Sequence, residues 1–377
     1  MSDLENKYED FRTISSGGSM NSPLSRSLQG FNITKTPEMG IPKSNKMQGL
    51  VFMTRPQLNM NTHNLMTQAY YHPLLSIRES SLHRYVRCTL DPYLAVGFDG
   101  NGSGYPKTPI ASPLVDKYQA FIPLATNSLE LMTGWPEIVV PTKTTEPGAY
   151  GFTYTQVDGV VAINGTYDLT LTFSSRQADP LLRLFSYWSR YSTDVFSGAL
   201  LPYRCMIRRN EIDYNTGIYR ILLDKNGKKL TDIAYVAKGT IATDPTGKIF
   251  DFDKNKVYID NGETFQIVVK AEGIYYNEPF IIDNFNEVVR IFNNAMEDGL
   301  REQYMRLLVD SEKVTMNYAA YPRINVDTHE FEWWVWKSDY DLAFKISKPA
   351  PPPSPLPKSL ADVSMAERLR ALNPNGV

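Results

Sequence analysis

At 377 residues the chain is longer than one ordinary hydrophobic core, so about two to three compact units with extensions are expected. Hydrophobic residues at 42% and charged residues at 21% make a folded composition, and no run approaches the ~20 apolar residues a membrane helix needs. A formal net charge of −2 excludes a protein that grips nucleic acid through its phosphates, and two cysteines, Cys88 and Cys205, exclude a disulfide framework or a zinc site built on Cys-x-x-Cys.

In chain order, residues 1–45 are rich in Ser, Gly, Pro and Asn without apolar periodicity and read as an extended N-terminal arm. The polar start has neither the basic opening nor the apolar stretch of a secretory signal, so synthesis and use in a cytoplasm are expected. Residues 46–150 read as an irregular region of short helices and strands, punctuated by Arg55-Pro56, His72-Pro73, Asp91-Pro92, Tyr105-Pro106, Ile122-Pro123 and Trp135-Pro136. Its stretch Asp99-Gly100-Asn101-Gly102-Ser103-Gly104 lacks the strand, Lys-Ser/Thr pair and helix of a phosphate loop.

Residues 151–275 carry the densest signal. Tyr167, Leu169, Leu171 and Phe173 alternate with Asp168, Thr170 and Thr172, the period of a half-buried strand. Asp179-Pro180 then opens a helix whose apolar stripe is Leu181, Leu182, Phe185, Trp188 and Tyr191. Strands follow over 203–208 and 218–223. An Asn226-Gly227 turn leads to a return strand over 230–236, and further strands are expected over 248–252 and 264–271. The turns between them are Asp244-Pro245-Thr246-Gly247 and Asn261-Gly262.

Residues 276–347 read as a second helix from Asn284, with Phe285, Val288, Phe292, Met296, Leu300, Tyr304 and Leu308 at helical spacing, followed by an aromatic strand, Phe331-Glu332-Trp333-Trp334-Val335-Trp336. Residues 348–377 form a Pro-rich linker, Lys348-Pro349-Ala350-Pro351-Pro352-Pro353-Ser354-Pro355-Leu356-Pro357, and a short amphipathic segment with Leu360, Val363, Met365, Leu369 and Leu372. One helix of that length is not stable alone, so it is expected to dock on a neighbouring subunit.

The fold class expected is therefore mainly β (α+β): a β domain with a flanking helix, a second helix after it and extended arms. The order of elements, with Thr166-Tyr167-Asp168-Leu169-Thr170-Leu171-Thr172-Phe173, Leu184-Phe185-Ser186-Tyr187-Trp188, the 218–236 hairpin and the 264–275 strand, resembles the tail-tube protein family of contractile phages and related injection machines. Gly134-Trp135-Pro136, Asn210-Glu211-Ile212-Asp213-Tyr214-Asn215 and Tyr321-Pro322-Arg323-Ile324 look like parts of virion structural proteins of large contractile-tailed phages. The resemblance implies a tail-tube-like β-barrel or sandwich with a post-barrel helix, in a homohexameric ring whose hairpins pair edge to edge around a channel, which removes exposed sheet edges. It implies no cofactor and no enzymatic activity. The partners would be copies of itself, other tail proteins (tube, sheath, baseplate or neck) and DNA passing without specific binding, with no membrane, in a virion assembled in the host cytoplasm.

On that basis Asp168, Thr170 and Thr172 are candidate lumen-facing residues, since their strand face lacks Lys and Arg and would let phosphates slide; an ordinary solvated face is the plainer alternative. Trp188, Trp333, Trp334 and Trp336 are candidate core or intersubunit residues. The additions to a plain tube subunit suit a specialised ring, the tube initiator at the baseplate, with a head-to-tail neck or terminator ring as the alternative. A carbohydrate-binding or hydrolytic β-sandwich is the reading from another class. Little else supports chemistry: Asp251, Asp253 and Asn255 begin like a calcium loop but Lys256 stands where glycine is needed, and His63, His72, His83 and His329 share no helix face with carboxylates. Glu211 and Asp213 lie two apart in a turn, too weak a pattern for a carboxylate pair.

Overall fold

A computed structural model describes residues 48–95, 109–159, 165–174, 178–202, 207, 212–224, 226–250, 264–313 and 320–344. The first half runs β1 (Gln48–Met53), α1 (Thr62–Thr67), α2 (Leu82–Leu90), α3 (Pro123–Ser128), β2 (Leu129–Thr133), β3 (Thr142–Thr144), β4 (Thr155–Val157), β5 (Tyr167–Ser174) and α4 (Pro180–Phe196). The second runs β6 (Thr216–Leu223), β7 (Leu230–Ile241), β8 (Thr264–Tyr276), α5 (Phe280–Phe292), α6 (Arg301–Tyr304), β9 (Met305–Leu307), α7 (Asp310–Lys313), β10 (Tyr321–Ile324), β11 (Phe331–Trp336) and α8 (Lys337–Ala343).

Six of these strands form one antiparallel sheet in the order β1-β6-β7-β8-β5-β2. The β6–β7 turn forms where Asn226-Gly227 directs it: Gly227 takes φ 68°, a conformation an L side chain resists, and Leu223 pairs with Leu230. The sheet curls until its edges almost meet. Ile122 N–H donates to Met53 O at 2.9 Å and Arg55 N–H to Ala120 O at 3.0 Å, so the segment before α3 pairs with the end of β1, and α3 leads directly into β2 at the other edge. The result is a nearly closed barrel with helices, the mainly β fold read from the pattern. Its two edge strands, β1 and β2, come from the Pro-punctuated stretch before residue 151.

Two apolar cores use opposite faces of the sheet. The inner one packs Leu169, Leu171 and Phe173 of β5 and Ile267, Val269 and Ala271 of β8 against Leu181, Leu182, Leu184, Phe185, Trp188 and Tyr191 of α4. The outer one covers β1, β6 and β7 near the β6–β7 turn, where Phe52, Tyr219, Ile221, Leu223 and Ile233 meet Ile281, Phe285 and Val289 of α5 and Phe331 and Trp334 of β11. Across this face Tyr219 stands opposite Tyr235, and Tyr235 opposite Tyr275, with neighbouring rings stacked 4.5 Å and 6.4 Å apart. Such cross-strand aromatic pairs fix register, since a slip of one residue would turn every ring to the other face. The small sheet β10-β11-β9 lies beyond α5, with β11 central.

Two sequence expectations change. The strand expected over 248–252 is replaced, as far as residue 250, by a 3-10 helix over Pro245–Phe250: Pro245 has no N–H to give a ladder, and the Asp244 carboxylate accepts from Thr246 N–H at 3.0 Å and starts the turn. The long helix from Asn284 stops at Phe292. Asn293 turns extended at φ −133° and its side chain accepts from Ala295 N–H at 3.1 Å, while Gly299 at φ 88° redirects the chain before α6. Met296 still reaches the outer core, but Leu308 follows a strand. The 203–208 strand (apart from Ile207), the residues Asp251, Asp253 and Asn255, the Asn261-Gly262 turn, the glycine-rich 99–104 stretch and both arms lie outside the described residues.

Candidate assembly interface

The candidate lumen face lies on β5. Asp168 is exposed, Thr170 is half-buried, and Thr172 is buried at 7% exposure between its register partners Leu131 on β2 and Gln266 on β8. Of the three, Asp168 is the one open to solvent. The strand itself lacks cations, but its neighbours bring them: Lys270 on β8 stands opposite Asp168 and pairs with it at 2.6 Å. Lys238 on β7 pairs with Glu272 at 2.9 Å. Each lysine is matched by a carboxylate, so the face is charged but locally neutral and offers a polyanion no net hold. At its rim Gly134, φ 98°, lies so close to the strand that a Cβ there would sit 2.1 Å from Asp168 O, which makes glycine obligatory at the bend after β2.

The tryptophans separate into two groups. Trp188 is fully buried in the inner core, stacked on Phe185, and its Nε1–H donates to Tyr214 O at 2.8 Å. On β11, Trp334 is buried under the Arg301 guanidinium, 4.9 Å from the ring centroid, whereas Trp333 and Trp336 are half-buried. Trp336 Nε1–H donates to Tyr321 Oη at 3.0 Å, and Trp334 Nε1–H to Glu332 at 2.8 Å.

Glu332 is the single polar break in the aromatic strand, and it is fully engaged. Burial alone would raise its carboxyl, but hydrogen bonds from Asn325 (3.0 Å), Trp334 (2.8 Å) and Arg323 (2.9 Å) outweigh this and hold it below the ordinary carboxylate range. Because the folded state holds this proton less tightly than the unfolded chain, the contribution is present above the usual value of 4.5 and is lost as pH falls through the lowered folded value. Glu332→Gln should lower stability by about 1 to 3 kcal/mol at neutral pH, with the gap to wild type closing in acid. Denaturant melts across the pH range check this; a gap that persists unchanged at low pH would refute the assignment.

One feature went unread in the sequence. Every residue from 142 to 159 is exposed, and among the described residues the β3–β4 hairpin is held by its own pairing, including Thr145 N–H to Tyr154 O at 2.8 Å and Gly148 N–H to Phe152 O at 3.0 Å. It carries Tyr150, Phe152, Tyr154 and Val157 at 90%, 69%, 72% and 68% exposure. A two-stranded hairpin is marginal by itself in water, and aromatic residues recurring at every second position with no other described residue packed beneath them form an exposed apolar surface. The signal was available: Pro147-Gly148 sits at the turn and Tyr150, Phe152 and Tyr154 alternate.

A second apolar surface is a groove of about 230 Å³ between β1 and the outer elements, lined by Leu50, Phe52, Phe121, Leu308, Ala320 and Trp333, with Lys313 at its margin. Among the described residues no set of three or more His, Cys, Asp or Glu is placed to hold a metal ion, and no helix is long and apolar enough to cross a membrane. His63 and His72 are exposed, His83 is half-buried and His329 is buried. Glu211 lies outside the described residues, and Asp213 caps its own turn by accepting from Asn215 N–H at 2.9 Å.

Comparison with curated proteins returns no match. Among solved structures, the chain is similar to the tube terminating cap of the anti-feeding prophage, at 14% identity over 42% of this chain and 81% of that one with a TM-score of 0.24. It is also similar to the sheath/tube terminator, in the extended state, of PVC, an extracellular contractile injection system, at 13% identity over 42% of this chain and 86% of that one with a TM-score of 0.24. A family model matches residues 2–349, and by that match the chain belongs to the family described as "Putative phage tail tube protein".

Proposed function

We propose that the chain is a ring-forming structural subunit of a contractile phage tail, a homohexamer around the DNA channel that works by assembly and not by catalysis. The observation that carries this reading is the wholly exposed aromatic hairpin over 142–159: a surface of that kind is stable in solution only when another subunit covers it. The partly open edges of β1 and β2 supply backbone groups that a neighbour can pair, each bond adding about 0.5 to 1.5 kcal/mol. The paired charges around Asp168 and Lys270 suit a wall past which DNA slides without being bound.

The place in the tail that fits best is a specialised end ring, the tube initiator at the baseplate. One half of the outer sheet face is covered by α5 and the β9–β11 sheet, while the β5–β8 half stays polar, so the subunit presents unlike surfaces on its two sides. An end ring meets different proteins at its two ends, which unlike surfaces suit. Purified chain should elute as a closed oligomer and show six-fold rings in electron micrographs; a monomer at high concentration would overturn the ring. Labelled copies in intact virions should mark the baseplate end. Label at the neck would make the protein a terminator ring.

A further inference from the structure

The apolar groove beside β1 lies where the described chain leaves the body. Phe344 stacks on Tyr340 with centroids 4.5 Å apart, and Tyr340 packs with Leu308, Ala320 and Val335; Leu308, Ala320 and Trp333 also line the groove. Thirty-three residues remain beyond Phe344 (377 − 344), opening on the proline-rich run 348–357 and continuing into the apolar positions Leu360, Val363, Met365, Leu369 and Leu372. In a polyproline conformation the ten residues of that run extend about 31 Å. That reach is enough to carry the apolar segment to an adjacent subunit.

Resting on the ring reading above, we propose that this groove receives the C-terminal segment 360–372 of a neighbouring copy. The fit is chemical and dimensional. The groove has room for a few aliphatic side chains and not for a whole helix, which suits Leu369 and Leu372, spaced so that a helix would present both on one face. Phe52, Phe121 and Leu308 are already buried and form its apolar floor, Trp333 is half-buried, and Gln119, Thr126, Asn127 and Lys313 add polar lining, so the gain comes from the water that the inserted side chains lose. A ring whose subunits each lend a strap to the next resists dissociation more than its edge contacts alone would, because the second contact forms within an existing complex.

The test uses two preparations of the full chain, one with Leu369→Cys and one with Lys313→Cys at the groove margin, both carrying Cys205→Ser and differing in mass by a tag. Mixed and oxidised, they should yield a disulfide-linked heterodimer that the Cys205→Ser parents do not. Electron micrographs of the same samples report ring formation separately. Rings without the cross-link overturn the strap and leave the ring reading standing; neither rings nor cross-link overturns both. A cross-link that forms only within one chain carrying both cysteines overturns the exchange between copies. In parallel, Leu369→Asp with Leu372→Asp should raise the concentration of half-dissociation about tenfold. An unchanged value, or the same shift obtained only by deleting residues 1–45, assigns the groove elsewhere and refutes the proposal.

Discussion

A chain carrying Phe152→Asp and Tyr154→Asp is expected to remain a folded monomer at concentrations where the wild type is an oligomer. Both side chains sit on the β3–β4 hairpin, at 69% and 72% exposure, within a stretch where every residue is exposed, so little packing against the described residues is lost. Burying each ring at an interface is worth about 1.5 to 3 kcal/mol, and a carboxylate in its place adds a desolvation cost, so the pair should weaken association by about 10³-fold or more. Sedimentation velocity reads the loss, and circular dichroism with thermal melting reads the fold, which should match wild type. Assembly at the wild-type concentration would show that the hairpin is not the joint. Loss of assembly together with a fallen melting temperature would show that the hairpin supports the body after all.

Much of the barrel was legible because its strands obey a simple rule. β5 alternates, the β6–β7 turn has Asn-Gly, and α4 carries its stripe at helical spacing, so each local pattern agrees with the element it forms. The edge strands were hidden for a physical reason. In β1, Leu50-Val51-Phe52-Met53 is apolar without alternation because both of its faces are buried, Val51 and Met53 inward and Phe52 outward, and a run of that length does not declare itself as a strand. Asn293 falls between Phe292 and Met296 of the helical spacing, yet its side chain competes for Ala295 N–H and ends the helix. Of the candidate interface residues, Asp168 and Thr172 differ in burial because β2 and β8 flank the strand, and Lys270 reaches Asp168 across the sheet. No single-strand pattern carries either fact, because cross-strand neighbours are set by topology.

Arg55 stands in the sequence as half of an Arg-Pro break, and its removal is expected to cost as much stability as a large core truncation. Its side chain is buried at 6% exposure. The guanidinium donates to Cys88 O at 2.6 Å, Thr89 O at 3.1 Å, Gln119 O at 3.1 Å and Asp116 O at 3.3 Å. Cys88 and Thr89 lie in the last turn of α2, where the unpaired carbonyls carry the negative end of the helix dipole and welcome a cation. Asp116 and Gln119 precede the segment that pairs with Met53 and Arg55 and brings the barrel edges together. One planar fork thus ties α2 to the seam of the barrel. Desolvation lowers its pKa to about 10, offset in part by the nearby Asp116, and the group stays charged at neutral pH.

Arg55→Met should therefore deprive the Cys88, Thr89 and Gln119 carbonyls of the guanidinium, leaving Asp116 O only its bond from Gln119 N–H, and cost about 3 to 5 kcal/mol, a fall in melting temperature of roughly 10 °C for a body of this size. Arg55→Lys keeps the charge but cannot span four acceptors with one ammonium, so it should fall between wild type and Arg55→Met. The assembly readout separates this site from the hairpin. In the hairpin variant association fails while the fold holds; in Arg55→Met association should weaken only as the fold weakens, and a stabilising co-solvent that restores the melting temperature should restore the oligomer. Wild-type stability in Arg55→Met would mean that water satisfies those carbonyls and that the seam closes without the fork.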